Sequence, residues 1–296
     1  MSKLSLKLKP CPAPGEGVHN WICYAACTLV DAGMSDEGAE PEIKALMTRD
    51  PKRTEIKDAL CYARGERRCS SPRWSPVNPV AIAEIVKNGP SLRELVKCSP
   101  EPIQFGEQSR TEETIHALFP GNPWLCVGRS DDRFFTARRQ TWRGHLHKSS
   151  LIVPSPMSAK RGRTKEGKLS FHSESNTAPR RFLVVEFDGG SLNQQAAILW
   201  HLAGYAPLAL VVFSGSKSCH GWFFCASEPE GKLKRFFDYA HSLGADSRMW
   251  SRSQFARLPD GARSDGKTSD ALRVAGIEGV PTGRQAILYF NPEVIR

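Results

Sequence analysis

Between residues 182 and 292 the chain switches between two hydrophobic periods in a fixed order, and that order limits the possible folds more than any other feature. The run FLVVEFD, Phe182 to Asp188, has the apolar content of a buried strand and stops at Gly189 and Gly190. A helical pattern follows from about 192 to 203, opened by SLNQ, which has the Ser-x-x-Gln form of a capping box. APLALVVFS reads as a second strand, joined through the short turn GSKS to a third, CHGWFFCA. An amphipathic helix EGKLKRFFDYAHSLG, an irregular segment ADSRMWSRSQFARLPDG and a last strand RQAILYFNP complete the series. Strand, helix, strand, strand, helix, strand predicts a split βαβ arrangement, with four antiparallel strands, both helices on one face and the other face open.

The far end of the first strand carries two carboxylates. Side chains alternate along a strand, so Leu183, Val185 and Phe187 take one face while Phe182, Val184, Glu186 and Asp188 take the other. Burying two unpaired negative charges side by side costs on the order of several kcal/mol. If Leu183, Val185 and Phe187 lie under the helices, Glu186 and Asp188 stand on the open face, beside solvent, a cation or a ligand.

Two further elements bring chemistry to the same region. In SGSKSCHGWFF a turn rich in glycine and hydroxyls, with Ser214, Ser216, Lys217 and Ser218, ends in Ser-x-His at His220. Backbone amides, hydroxyls, an ammonium and an imidazole gathered at one sheet edge are what a triphosphate needs. The parity of His220 matches Trp222 and Phe224, which allows it to face the open side. GADSRMWSRSQFARLPDGAR then supplies Asp246, followed by Arg257 and Arg263. As a third carboxylate, Asp246 would complete an oxygen-ligand set for Mg2+ or Mn2+ in in-line phosphoryl transfer, with Asp260 near enough in sequence to compete for that place.

In order and spacing, VVEFD, SGSKSCHGWF and GAD followed by RLPDG resemble the three motifs of the archaeo-eukaryotic primase superfamily, particularly the primase-polymerases of mobile elements. The resemblance covers roughly residues 103 to 296 and departs from the family pattern at Glu186, where Asp is commoner. It implies an α+β fold with an RRM-like catalytic sheet and a DNA primase or polymerase activity. Carried over residue by residue, it implies that Glu186, Asp188 and Asp246 are metal ligands of a two-metal site, and that Ser218 and His220 contact the phosphates of the incoming nucleotide. On this reading Lys217, His220 and Arg257 clamp the triphosphate, and the basic residues of 133 to 181 track the phosphates of a single-stranded or primed DNA template. No helicase motor is visible, so a separate helicase is an expected partner.

The N-terminal part reads differently. VHNWICYAACTLVDAG places Trp21, Ala25, Leu29 and Ala32 at helical spacing, and SDEGAEPEIKALMTRD and KRTEIKDALCYARG suggest two further helices, the last opened by Thr54. Residues 1–70 therefore predict a small helical domain. It is similar to the helical domain that accompanies such primases, although there it usually follows the catalytic domain and here it precedes it. The Pro- and Ser-rich CSSPRWSPVNP and two short helical patterns, VAIAEIVKNG and SLRELVKCS, predict a partly helical linker over 71–102, and PSPMSAKRGRTKEGKLSFHSESNTAPRR predicts an exposed basic loop. The formal charge of +10, from 41 Lys and Arg against 31 Asp and Glu, favours a polyanionic partner. No apolar run reaches membrane-spanning length and no signal peptide is visible, so the expectation is a cytoplasmic protein with reduced cysteines.

Other patterns compete. GARSDGKT, Gly261 to Thr268, matches the P-loop spacing, but too little chain follows Thr268 to build the domain that motif requires. His145 and His147 in GHLHK, with Tyr239 on a helix, outline a rolling-circle nickase, which leaves the Ser-x-His turn unexplained. A non-catalytic nucleic-acid-binding module on the same sheet would present stacking aromatics where this chain has acids. Cys11, His19, Cys23 and Cys27 fit no usual zinc-finger spacing and read as helix-borne thiols.

Overall fold

A computed structural model describes residues 8–14, 17–51, 54–64, 74–106, 108–263 and 270–295. The chain is mixed α+β with antiparallel sheets and divides into two compact units, Met1–Arg73 and Trp74–Arg296. The first unit carries α1 (Val18–Asp31), α2 (Asp36–Leu46) and α3 (Glu55–Ala63). Val18, Trp21, Ile22, Ala25, Ala26 and Leu29 line one side of α1 and pack with Ala39 and Ile43 of α2 and Ile56, Ala59 and Leu60 of α3. Buried Glu55 is held by Arg49 at 2.7 Å and by His19 Nδ1 at 3.1 Å. That bond occupies His19, and Cys11 Sγ lies 3.6 Å from the Thr48 hydroxyl, which leaves no zinc group among the described residues.

The second unit begins earlier than the sequence predicts. Ser75 donates from its amide and its hydroxyl to Asp238, both at 2.7 Å, and Trp74 stacks edge-on against Phe237. The next helices, α4 (Pro79–Asn88) and α5 (Leu92–Lys97), belong to this unit and not to a linker. A capping box at Ser91 and Glu94 opens α5, and Asn193 accepts the Leu92 amide at 2.9 Å. Leu92 and Leu95 are completely buried, and withdrawing such side chains from water, worth about 1.5–3 kcal/mol each, is what docks the segment.

Then come α6 (Thr111–Leu118), β1 (Trp124–Gly128), β2 (Phe134–Arg138) and β3 (Leu151–Ile152). Helix α6 carries Glu112 and Glu113 in its first turn, where they complement the helix dipole. The stretch predicted as an exposed basic loop is organised instead as a small hairpin of β4 (Gly162–Arg163) and β5 (Leu169–Ser170). Buried Asn176 holds this stretch in place, donating to Ala159 O and Phe171 O at 3.1 Å each and accepting from the Ser173 amide.

The main sheet and its helices use the predicted segments, β6 (Phe182–Glu186), α7 (Leu192–Ala203), β7 (Leu208–Phe213), β8 (Cys219–Phe224) and α8 (Glu230–Ser242); the segment read as irregular adds β9 (Ala256–Arg257) to the other sheet, and an unpredicted short helix α9 (Ala271–Val274) precedes the last strand, β10 (Ile287–Phe290). Ser191 caps α7 by accepting the Gln194 amide. Gly221 lets α7 sit directly on β8, since a Cβ there would lie 2.4 Å from Leu199 Cδ2. Phe223, on the same face, packs against Phe236 of α8, so both helices cover the face of Leu183 and Val185.

Two features differ from expectation. An RRM-like sheet pairs its last strand with its first, whereas the order here is β10-β7-β8-β6. The free edge of β6 is taken by the segment leaving α8, where Phe187 bridges Ala245 and the Asp246 amide donates to Glu186 O at 2.8 Å, so β10 pairs with β7. The second face is also not open along its length. Phe119, following α6, meets Phe182 ring to ring at 5.6 Å, Trp222 is fully buried, and the same core takes in Leu125 and Val127 of β1 and Ile152 of β3. Among the described residues, the end of this face at Glu186 borders a cleft that His220 also lines, with β3 and β9 along its other side. Among the described residues no helix is long and apolar enough to cross a membrane. Most of the P-loop-like stretch, residues 264–268, lies outside the described residues.

Candidate functional site

The accessible cleft, about 350 Å³, is walled by Glu186 and His220 of the main sheet, Asp246 and Arg248 after α8, Arg257 of β9 and Arg129 at the turn from β1 to β2. Register places Glu186 directly opposite His220 on adjacent strands. The imidazole Nε2 lies 3.2 Å from Glu186 Oε1, within ion-pair distance but not aligned as a hydrogen bond, and neither ring nitrogen of the buried His220 has a hydrogen-bond partner. The Glu186 carboxylate therefore meets the Nε2 side of the buried ring electrostatically, and Nδ1 is left without a partner. The Ser218 hydroxyl donates to the same Glu186 oxygen at 3.2 Å. Burial pushes the Glu186 carboxyl up, but the neighbouring imidazole, Arg257 and the Ser218 hydroxyl outweigh it and hold the group at about 2, so it is ionised.

Asp188 reaches the site by a different route from the one alternation suggests. Strand β6 ends at Glu186, and Asp188 leaves it in a turn completed by Gly190, whose φ of +80° favours glycine. Arg248 gathers the acids. Its Nη2 lies 2.8 Å from Asp246 Oδ2 and 3.4 Å from Asp188 Oδ2, and Asp246, Asp188 and Glu186 all act to keep the guanidinium charged. Asp246 also caps its own turn by accepting the Arg248 amide at 3.0 Å. Among the described residues no group of three or more His, Cys, Asp or Glu side chains is spaced to hold a metal ion as they stand. The donors around Arg248 are anionic oxygens, the ligand type that hard dications take.

Asp260 is elsewhere. Its carboxylate accepts the Arg110 amide at 2.6 Å and pairs with Arg284 at 3.7 Å, and it lines a separate hollow. Between the two competing acids, the structure places Asp246 with Glu186 and Asp188.

The Ser-x-His turn contributes unevenly. Lys217 Nζ donates to Asp188 O at 3.0 Å, joining the two loops, and Ser216 is half-buried on the turn. Ser214 is buried and its hydroxyl accepts the Ser218 amide at 3.2 Å, an interaction that shapes the turn. The fastening between the loops is Gln195 of α7, missed at the level of sequence because a glutamine inside a helix carries no motif. Its Nε2 donates to Gly189 O and Lys217 O, both at 3.1 Å, and its Oε1 accepts the Cys219 amide at 2.8 Å. Arg248 and Arg129 were missed as well; the Asp-x-Arg spacing at 246–248 is the one signal that points to the former.

The nickase geometry is not assembled. His145 and His147 lie around a single 3-10 turn, Leu146–Lys148, not on a strand. Tyr239 lines a groove with Leu183 and Phe223 on the helical side of the sheet, hydrogen-bonded to His201 Nε2 at 2.7 Å. Comparison of the chain with family models, with curated proteins and with solved structures finds no match.

Proposed function

We propose that the unit spanning 74–296 is a template-directed nucleotidyltransferase of the primase-polymerase type, adding nucleotides to a nucleic-acid 3′ end. The observation that carries this reading is the pairing of Asp246 and Asp188 with the one Arg248 guanidinium, beside Glu186 and the buried His220 that faces it. A cleft lined by Glu186, Asp246 and Asp131 together with Arg129, Arg248, Arg257 and an imidazole matches the needs of a triphosphate and its counter-cations better than those of an apolar ligand.

Asp188 and Asp246, with Glu186 alongside, would hold Mg2+ or Mn2+, which when bound supplies charge neutralisation at the transferring phosphoryl group. His220 and Arg257 donate to the triphosphate, and Lys217 lies at the mouth of the same loops to meet its outer oxygens. Ser218 and His220 hold the Glu186 carboxylate in one orientation. In the transfer the 3′-hydroxyl oxygen bonds the α-phosphorus, the bond to pyrophosphate breaks, and the hydroxyl proton leaves to water. Placing Glu186 and His220 on paired strands restricts their motion more than loops would, and position is most of what this chemistry asks of a protein. The polyanionic template accounts for the excess of basic residues, and duplex opening falls to a separate helicase.

The test is extension of a labelled primed template, and of an unprimed single strand, with Mg2+ or Mn2+ and either dNTPs or NTPs. Products from the wild type and none from Glu186→Ala/Asp188→Ala support the reading, and the unprimed lane shows whether the protein primes. Equal product from both proteins, or none under any condition with DNA binding intact, refutes it.

A further inference from the structure

A second hollow, about 660 Å³, lies against the β1–β2 hairpin and shares Arg129 with the acid-lined cleft. Its rim carries Arg129, Arg133 and Lys148, all exposed, together with His145, and no carboxylate lines it. The nearest acid on the neighbouring helix is already engaged, since Glu112 Oε1 accepts the Gly144 and Leu146 amides at 2.9 and 3.2 Å. The floor is aromatic. Phe135, 42% exposed although it is a large apolar side chain in a strand, lies 4.0 Å ring to ring from the buried Trp142, which is itself fixed by Nε1 donating to Leu125 O.

We propose that this hollow is a binding groove for single-stranded nucleic acid, with Phe135 as the platform on which an unpaired base stacks and Arg129 passing the strand from the groove into the cleft. Arg129, Arg133 and Lys148 outnumber Asp131 and Asp132 of the same turn, and the remaining positive charge favours a polyanion. The exposed ring selects one whose bases have free faces, because in a duplex those faces are covered by neighbouring bases. Trp142 keeps Phe135 in place, so little rotamer freedom is lost when a base settles on it. The groove names the strand partner of the proposed nucleotidyl transfer and rests on that reading for its purpose, although binding itself needs neither metal nor nucleotide.

The experiment is fluorescence anisotropy of the full chain with a labelled oligo-dT and with a hairpin duplex, without metal or nucleotide, across a salt series. Phe135→Ala is expected to weaken oligo-dT binding about five- to a hundredfold without changing its salt dependence, since stacking carries about 1–3 kcal/mol per base. Phe135→Leu, which keeps an apolar cover on Trp142 and so guards against misfolding, is expected to weaken it similarly. Arg133→Gln and Lys148→Gln should each lower the slope of log affinity against log salt by about 0.7. Oligo-dT affinity within about twofold of wild type in both Phe135 variants, or duplex binding as tight as single-strand binding, overturns the groove. Extension activity with Phe135-independent binding removes the groove alone, whereas Phe135-dependent binding without extension removes the polymerase reading alone.

Discussion

Replacing Gln195 with methionine is expected to destabilise the second unit and to loosen the site, because this one side chain fastens the acid-bearing loop to the Ser-x-His turn. Methionine matches glutamine in length and flexibility, so the core of α7 stays filled and the change isolates the polar contacts. The Cys219 amide, buried under α7, loses the acceptor that Gln195 Oε1 provides at 2.8 Å, and an orphaned buried amide costs about 1–3 kcal/mol. Nε2 also stops donating to Gly189 O and Lys217 O, at 3.1 Å each, for about 1 kcal/mol more, since water replaces part of that loss. The sum, about 2–4 kcal/mol, corresponds to a urea midpoint lower by about 0.8–1.6 M for a slope near 2.5 kcal/mol per M. Equilibrium unfolding followed by tryptophan fluorescence and circular dichroism reads it, with extension activity measured in parallel at a urea-free temperature where the variant is folded. A midpoint unchanged within about 0.2 M would refute the reasoning, by showing that the amide finds another partner.

The two candidates for the third acid separate cleanly. Asp246→Asn keeps the cap on the Arg248 amide but should lower extension about a hundredfold or more with template binding intact, whereas Asp260→Asn should stay within about threefold of wild type and lose about 1 kcal/mol of stability. The reverse pattern would relocate the site. Arg248→Gln removes the guanidinium that occupies the centre of the acids, so half-maximal activity should need about two- to tenfold less Mn2+; an unchanged or higher requirement would show that Arg248 does not compete with the ion. Burial pushes the Cys126, Cys219 and Cys225 thiols up to about 12 from an ordinary value of 9.0, so the folded protein keeps protons that the unfolded chain releases. Their contribution is fully present below pH 9.0 and is lost as pH rises toward about 12, so the unfolding free energy at about pH 10.5 should lie at least about 2 kcal/mol below its value at about pH 8. In the native state a thiol reagent should find the exposed Cys98 and leave these three unmodified; modification of all four at one rate would contradict their burial.

Much of the molecule is legible in the amino-acid sequence because it depends on neighbours along the chain. Alternation in FLVVEFD marks β6 and puts Glu186 on the face opposite Leu183 and Val185, the turn GSKS joins β7 to β8, and Trp21, Ala25 and Leu29 mark α1. A short connection leaves adjacent strands few choices of partner, so the pairing of β7 with β8 follows almost from spacing, whereas the opposition of Glu186 and His220 across β6 and β8 does not. Long-range choices were settled only by tertiary structure. Whether β10 lies beside β6 or β7 depends on which edge the segment after α8 has already covered, and Phe187 with Ala245 covers β6. The docking of α4 and α5 on α7 turns a predicted linker into core, and Asn176 folds a predicted loop back through buried hydrogen bonds. The same holds in the site, where Arg248 lies 60 residues from Asp188 and Gln195 lies 24 from Cys219. The local pattern determines which side of a strand or helix is apolar, and with it which residues leave water. Which apolar surfaces then meet, and which charges end up sharing a cleft, is decided by packing between segments whose separation along the chain leaves no periodic trace.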